Sequence, residues 1–399
     1  MGLNDVVSAD RLHIGFFGKR NAGKSSVVNA VTGQELSVVS DVLGTTTDPV
    51  KKAMELLPLG PVVIIDTPGF DDVGDLGELR VKKTNEVLAR TDIAVLVVNA
   101  QNGMDDDDDK MLSLIKAKKL PYVIVFNKID LLEDKPCVDE NSICVSAKTN
   151  EGIFELKELI AKKSVGAKTE RFIVSDLIDA GDLVVLCIPI DESAPKGRLI
   201  LPQQQTIRDI LDKGGIPICA RDTELESTLN SLTKKPKMVI TDSQAFGKVS
   251  KIVPNDIPLT SFSILFARYK GNLVKQVEGA SALSKLKDGD IVLISEGCTH
   301  HRQCNDIGTV KMPNWIKNFS GADVRFEFTS GGHFPDDLTK YSLIVHCGGC
   351  MLNEKEIGHR VAKSAEQNIP MVNYGVAIAN MHGILKRSLE LFPDVLKLL

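Results

Sequence analysis

Short apolar runs, each closed by glycine or a polar cluster, punctuate the amino-terminal part of this chain. Leu12–Phe17, Val62–Ile65, Ile93–Val98 and Tyr122–Phe126 are nearly continuous rather than alternating, the pattern of strands covered on both faces. A helix is predicted to start near Lys24, so the first segment reads as strand, loop, helix and further parallel strands. The polar, small-residue stretch Ala161–Lys168 breaks this rhythm as a linker would. Beyond it, strands at Leu183–Ile190 and Met238–Thr241 alternate with helices at Gln203–Leu211 and Glu224–Leu232. A helix over Ser281–Leu286 then precedes strands at Ile291–Ile294, Leu343–Val345 and Pro370–Val372, with a helix–strand unit around Trp315 that gives the indole a packing role. At 399 residues the chain exceeds one ordinary core, and roughly 150 residues per domain suggests two or three. The expectation is an α/β protein with divisions at residues 1–166, 170–265 and 266–399, the latter two being smaller domains with mostly parallel sheets.

Composition narrows the partners. With 43% hydrophobic and 25% charged residues the chain has the make-up of a globular protein, and a net charge of -5 argues against a general nucleic-acid surface. The start Met1-Gly2-Leu3-Asn4-Asp5 lacks a signal-peptide layout, and Val6 stands where a myristoylation signal wants Ser or Thr. No apolar run approaches the roughly 20 residues that span a bilayer, so a cytoplasmic protein without membrane or nucleic-acid partners is expected. Eight cysteines in such a chain read as reduced thiols or metal ligands rather than disulfides. Cys137, Cys144, Cys187 and Cys219 stand singly and are expected to be small core residues.

Four ordered motifs at strand ends carry nucleotide chemistry. Gly18-Lys19-Arg20-Asn21-Ala22-Gly23-Lys24-Ser25 is a phosphate-binding loop. Its glycines let amide N–H groups approach phosphates, the helix amino end adds its dipole, and Lys24 adds a point charge. Ser25 would place its hydroxyl on Mg²⁺. Asp66-Thr67-Pro68-Gly69 offers a carboxylate to hold the metal through water and, at Gly69, an N–H to sense the γ-phosphate. Asn127-Lys128-Ile129-Asp130 follows the next strand. The Asp130 carboxylate can accept from the two donors on the guanine edge, a pattern adenine does not present, so GTP and GDP are selected. Ser146-Ala147-Lys148 closes the base pocket. The residue after Gly69 is Phe70, so a glutamine that orients attacking water is missing, and slow hydrolysis follows. The five aspartates Asp105–Asp109 read as a solvated loop or helix start.

A second chemistry lies near the other end. Cys298-Thr299-His300 and His346-Cys347-Gly348-Gly349-Cys350 each run directly out of a strand. In an open parallel sheet the carboxyl ends of strands share one edge, so the two motifs can close into one site. Three cysteines and one histidine would satisfy zinc, and thiolates equally suit an iron–sulfur cluster whose fourth position falls to His300, His346, Cys304 or something exchangeable. Either histidine can instead be a hydrogen-bond partner behind the ligands. His301 and His333 are expected at the surface.

The amino-terminal motifs resemble the Ras-like GTPases of the translation-factor class over residues 10–163. Asn21-Ala22-Gly23-Lys24-Ser25-Ser26 and Gly44-Thr45-Thr46-Thr47-Asp48 resemble the potassium-activated branch, which includes tRNA-modification GTPases. That resemblance implies Thr46 on Mg²⁺, Asn21 with carbonyls around Ser40 and Val42 on K⁺, and Glu78 as the catalytic glutamate. With the two cysteine motifs added, the whole chain resembles the HydF family, the GTPases of [FeFe]-hydrogenase maturation. The resemblance implies a homodimer that binds a [4Fe-4S] cluster through Cys298, Cys347 and Cys350. It also implies a carrier that takes a di-iron precursor from two radical-SAM maturases to apo-[FeFe]-hydrogenase. Two alternatives stay open: a potassium-dependent RNA-modification or ribosome-assembly GTPase with structural zinc, and a redox-sensing GTPase whose cluster controls hydrolysis.

Overall fold

The computed structural model describes residues 11–34, 50–67, 69, 84–134, 136, 138–164, 171–190, 199–271, 273–297, 306–349 and 352–399. They form two compact units, Met1–Glu170 and Arg171–Leu399.

In the first unit, strands β1 (Leu12–Gly18), β2 (Val50–Leu56), β3 (Gly60–Asp66), β4 (Ile93–Asn99), β5 (Tyr122–Asn127) and β6 (Ser142–Val145) make one sheet in the order β2-β3-β1-β4-β5-β6. All neighbours pair in parallel except β2, which is antiparallel to β3. The near-continuous apolar strands are explained by cover on both faces. Along β4, Val95 and Val97 join one core with Ile14, Phe16 and Val27, whereas Ala94, Leu96 and Val98 join another with Phe17, Met111 and Ile115, the two-residue period of a strand. Each fully buried Val, Leu, Ile, Phe or Met among them contributes about 1.5–3 kcal/mol. Helix α1 (Lys24–Thr32) packs on the first face with α3 (Ile153–Ser164), and α2 (Asp106–Ala117) on the second. The aspartate run does start a helix. Asp105 caps α2 by accepting from the Asp107 and Asp108 amides, and Asp108 answers at the Asp105 amide, a reciprocal cap.

In the second unit, β7 (Leu183–Cys187), β8 (Ile216–Ala220), β9 (Met238–Thr241) and β10 (Leu259–Ser261) form a sheet in the order β10-β9-β7-β8, interleaved with helices α4 (Leu201–Asp212), α5 (Leu225–Ser231) and α6 (Phe246–Ile252). Strands β11 (Ile291–Ser295), β12 (Arg325–Thr329), β13 (Leu343–His346) and β14 (Met371–Asn373) form another in the order β12-β11-β13-β14. Every pairing in both sheets is parallel. Around them lie α7 (Phe262–Lys270), α8 (Leu273–Ala280), α9 (Met312–Ser320), α10 (Glu354–Glu366) and α11 (Tyr374–Met381). Val184 and Met238 of one sheet and Val292 and Val345 of the other belong to one continuous core with Phe262 and Leu265.

Three local expectations change. The predicted strand Leu183–Ile190 ends at Cys187, because Pro189 has no N–H to donate to a ladder. The helix expected at Ser281–Leu286 is displaced: α8 ends at Ala280, and Ser281–Lys285 is a tighter 3₁₀ stretch. Cys187 is a buried core residue, pushed up to about 11 by burial, but Cys219 is exposed on edge strand β8 rather than in a core. Cys144 is half-buried, and Cys137 lies outside the described residues. Among the described residues, no helix is long and apolar enough to cross a membrane.

Candidate nucleotide and metal sites

The phosphate-binding loop follows β1, and in the sheet order β1 is the strand flanked by β3 on one side and β4 on the other. That reversal opens a crevice at the carboxyl ends of the strands. Gly23 caps α1 with φ 82°, a left-handed conformation that favours glycine. A Cβ there would also lie 2.3 Å from the Asn127 amide nitrogen. Lys24 and Asp66 are both buried and form an ion pair at 2.9 Å, while the Ser25 hydroxyl donates to the other Asp66 oxygen at 3.0 Å. Cation, hydroxyl and carboxylate therefore converge on one point, a donor set that fits a phosphate with its magnesium.

Asn127 joins the loops around that point. Its Nδ2 donates to the Ala22 carbonyl at 3.1 Å and its Oδ1 accepts from the Ala147 amide at 3.1 Å. Asp130, exposed, accepts from the buried Ser146 hydroxyl at 2.7 Å, which fixes its carboxylate beside the third loop. Lys128 has φ 71° and Asn21 has φ 62°, and Lys148 is exposed. Gly18 ends β1, Ser26 sits half-buried in α1, and Gly69 follows β3. Thr46, Glu78, Phe70, Ser40 and Val42 lie outside the described residues. One contact had no sequence signal: Lys19 of the loop pairs with Asp105 and, at 3.5 Å, with Asp107 at the start of α2.

The strands that lead into the two cysteine motifs are neighbours at a second reversal. In the order β12-β11-β13-β14, β11 and β13 are adjacent while the connections leave to opposite sides. Ser295 pairs with His346 in register, and the Cys347 amide donates to the Ser295 carbonyl at 3.0 Å. The Gly297 amide then donates to the Cys347 sulfur at 3.0 Å, and the Gly349 amide to the same sulfur at 3.4 Å. Two amides aimed at one sulfur stabilise a thiolate, so Cys347 fits a metal-bound ligand. Cys298, His300, His301, Cys304 and Cys350 lie outside the described residues, among which no group of three or more His, Cys, Asp and Glu gathers as a metal site.

Behind Cys347 stand the motif's own His346 and, with it, residues that no motif announced. His346, buried, directs Nδ1 to the Cys347 carbonyl at 2.6 Å and Nε2 to Nη1 of Arg360 at 3.1 Å. Tyr374 donates to Glu296 at 3.2 Å, and burial with the nearby Glu296 and Cys347 charges holds its hydroxyl far above the usual range, as a proton donor. Gly308 makes room for that pair, since a Cβ there would lie 2.3 Å from Glu296 and 2.4 Å from the Tyr374 hydroxyl.

Comparison with known proteins matches three segments of the chain. Residues 13–128 match the family model for the 50S ribosome-binding GTPase. Residues 173–271 match the hydrogen maturase F dimerization domain, and residues 274–391 its tetramerization domain. The tRNA modification GTPase MnmE of Acetivibrio thermocellus is 35% identical over 153 residues, 36% of this chain and 33% of that protein. Its counterpart in Carboxydothermus hydrogenoformans is 39% identical over 173 residues, covering 40% and 37%. The chain thus spans about a third of the length of these curated relatives. Among solved structures, Aquifex aeolicus Era bound to GDP·AlF4⁻ is 19% identical with a TM-score of 0.35, covering 52% of this chain and 92% of that one. A Ras-like GTPase domain followed on one chain by two domains particular to hydrogen maturase F leads to one conclusion: the chain belongs to the hydrogen maturase F family of hydrogenase-maturation GTPases.

Proposed function

We propose that this chain is a GTP-hydrolysing scaffold that holds a [4Fe-4S] cluster and carries a di-iron precursor to apo-[FeFe]-hydrogenase. One observation carries the reading: Gly297, next to Cys298, donates its amide to the Cys347 sulfur across the β11–β13 crevice. That contact supports a site shared by the two motifs, beside a thiol that already receives two backbone N–H groups.

In this reading Cys298, Cys347 and Cys350 hold the cluster, which when bound supplies an iron with a coordination position not filled by cysteine. The di-iron precursor is the cargo, received from two radical-SAM maturases. At the other site Lys24 and the loop amides bind the phosphates, and Ser25 and Thr46 hold Mg²⁺ with Asp66 behind them. Asp130, held by Ser146, selects guanine, and Asn21 is the candidate K⁺ ligand. With Glu78 rather than a glutamine after Gly69 to orient water, turnover is slow. The working division is a GTP-binding segment 1–166, a dimerisation segment 170–265 and a cluster segment 266–399, in a cytoplasmic homo-oligomer.

Anaerobic purification followed by iron, sulfide and zinc analysis tests the proposal. Wild type should carry about four irons and four sulfides per chain, and Cys347→Ala should lose most of both. Zinc without iron in wild type would overturn it.

A further inference from the structure

Arg360 is among the largest fully buried side chains of the described residues, 1% exposed, on the charged helix α10. Its Nη1 donates to Ser295 Oγ at 3.2 Å and meets His346 Nε2 at 3.1 Å. Its Nη2 donates to the Gly331 carbonyl at 2.8 Å and to Glu356 at 2.7 Å. Ser295 ends β11, His346 ends β13, and Gly331 follows β12, so one guanidinium joins three strand ends. Ser295 and His346 are also the residues from which the two cysteine motifs depart.

The proton arrangement follows from chemistry. A guanidinium has donors and no acceptor, so at 3.1 Å the His346 Nε2 must present its lone pair to Arg360. The ring proton is then on Nδ1, where it donates to the Cys347 carbonyl at 2.6 Å. Both ring nitrogens are engaged, and the lone pair that iron would need points at a buried cation. Glu356, also buried, pairs with Arg360 at 2.7 Å and compensates its charge.

We infer that His346 is a positioning residue and not a cluster ligand, and that Arg360 holds it so, fixing the Cys347 loop against the end of β11. The statement deepens the scaffold reading and rests on it only for the word cluster. Arg360 acts through His346 and Ser295 and touches no reacting atom.

Two arms test it. In the metal-free chain labelled with ¹⁵N-histidine, the signal that disappears in His346→Gln should report a protonated Nδ1 and a hydrogen-bonded Nε2 lone pair. A proton on Nε2 would overturn the inference, whatever the chain binds. In the anaerobically reconstituted chain, His346→Gln keeps an acceptor for Arg360 and should retain the wild-type electron paramagnetic resonance line shape. His346→Ala and Arg360→Met should release iron to a chelator about 10-fold faster. Removing one partner of a buried pair threatens folding, so Arg360→Met is also made with Glu356→Leu, and thermal unfolding is followed for both. Loss in His346→Gln of a nitrogen coupling typical of a directly bound imidazole would overturn the inference while sustaining the scaffold. Wild type that takes up no iron would remove the scaffold, with the first arm still deciding the state of His346.

Discussion

The two units solve the same problem with different kinds of residue. Each places its chemistry at the carboxyl ends of parallel strands, where the strand order reverses: after β1 in the first unit and between β11 and β13 in the second. In the nucleotide site the motif residues hold one another. Asn127 bonds Ala22 and Ala147, Ser146 bonds Asp130, and Ser25 and Lys24 share Asp66. In the cysteine site His346 is held from behind by Arg360, which Ser295, Gly331 and Glu356 hold in turn. A polyphosphate is bound by many backbone amides in sequence, so its loop must be continuous. A thiolate site needs few ligands but a rigid frame, and that frame can be gathered from anywhere in the fold.

Breaking the nucleotide site at one motif residue should have the largest effect. Lys24→Ala removes the cation paired with Asp66 at 2.9 Å. GTP turnover should fall by at least about 100-fold, measured as phosphate release, while the iron content of the reconstituted chain stays at the wild-type level. A loss of iron in the same variant would mean that the cysteine site depends on an intact nucleotide site.

A more selective change sharpens it. Asp130→Asn replaces one acceptor oxygen with a donor beside Ser146. Guanine presents an amino group to that position and xanthine a carbonyl, so GTP affinity should drop by about 100-fold or more while xanthosine triphosphate gains. Competition binding of the two nucleotides measures it, and an unchanged preference would remove Asp130 from base recognition.

The contrast also explains what the sequence disclosed. Gly18–Ser25 and Asn127–Asp130 are legible because their chemistry requires neighbours in sequence, and the apolar strands before them announce where they lie. Asp105–Asp109 was legible as a helix start, yet its pairing with Lys19 of the loop was not, since two surface charges far apart in sequence carry no mutual pattern. Arg360 was less legible still. With Glu356 four residues earlier it looks like an ordinary solvated pair on a polar helix, and only the fold reveals that this face of α10, with Ile357 and Ser364, is buried. Cys219 misled in the opposite sense: an apolar strand pattern does not say which strand ends at the sheet's edge.

The smallest effect lies in the aspartate run and tests how tightly the first unit is built. Asp108 is buried and raised to about 6, chiefly by desolvation and then by the Asp105 charge, with Asp107 adding to the rise and Lys19 opposing it. Its ordinary value is 3.8, so folding favours the protonated form. That contribution is fully present below about pH 4 and is lost as pH rises through about 6. Asn in its place keeps an acceptor for the Asp105 amide, bonded at 3.4 Å, and carries no charge to desolvate. Asp108→Asn should therefore raise the unfolding temperature at pH 8 more than at pH 4, read by thermal scans of the whole chain. An equal shift at both values would mean that Asp108 is ionised without cost, and that the start of α2 is as open to water as its neighbours Asp106 and Asp109.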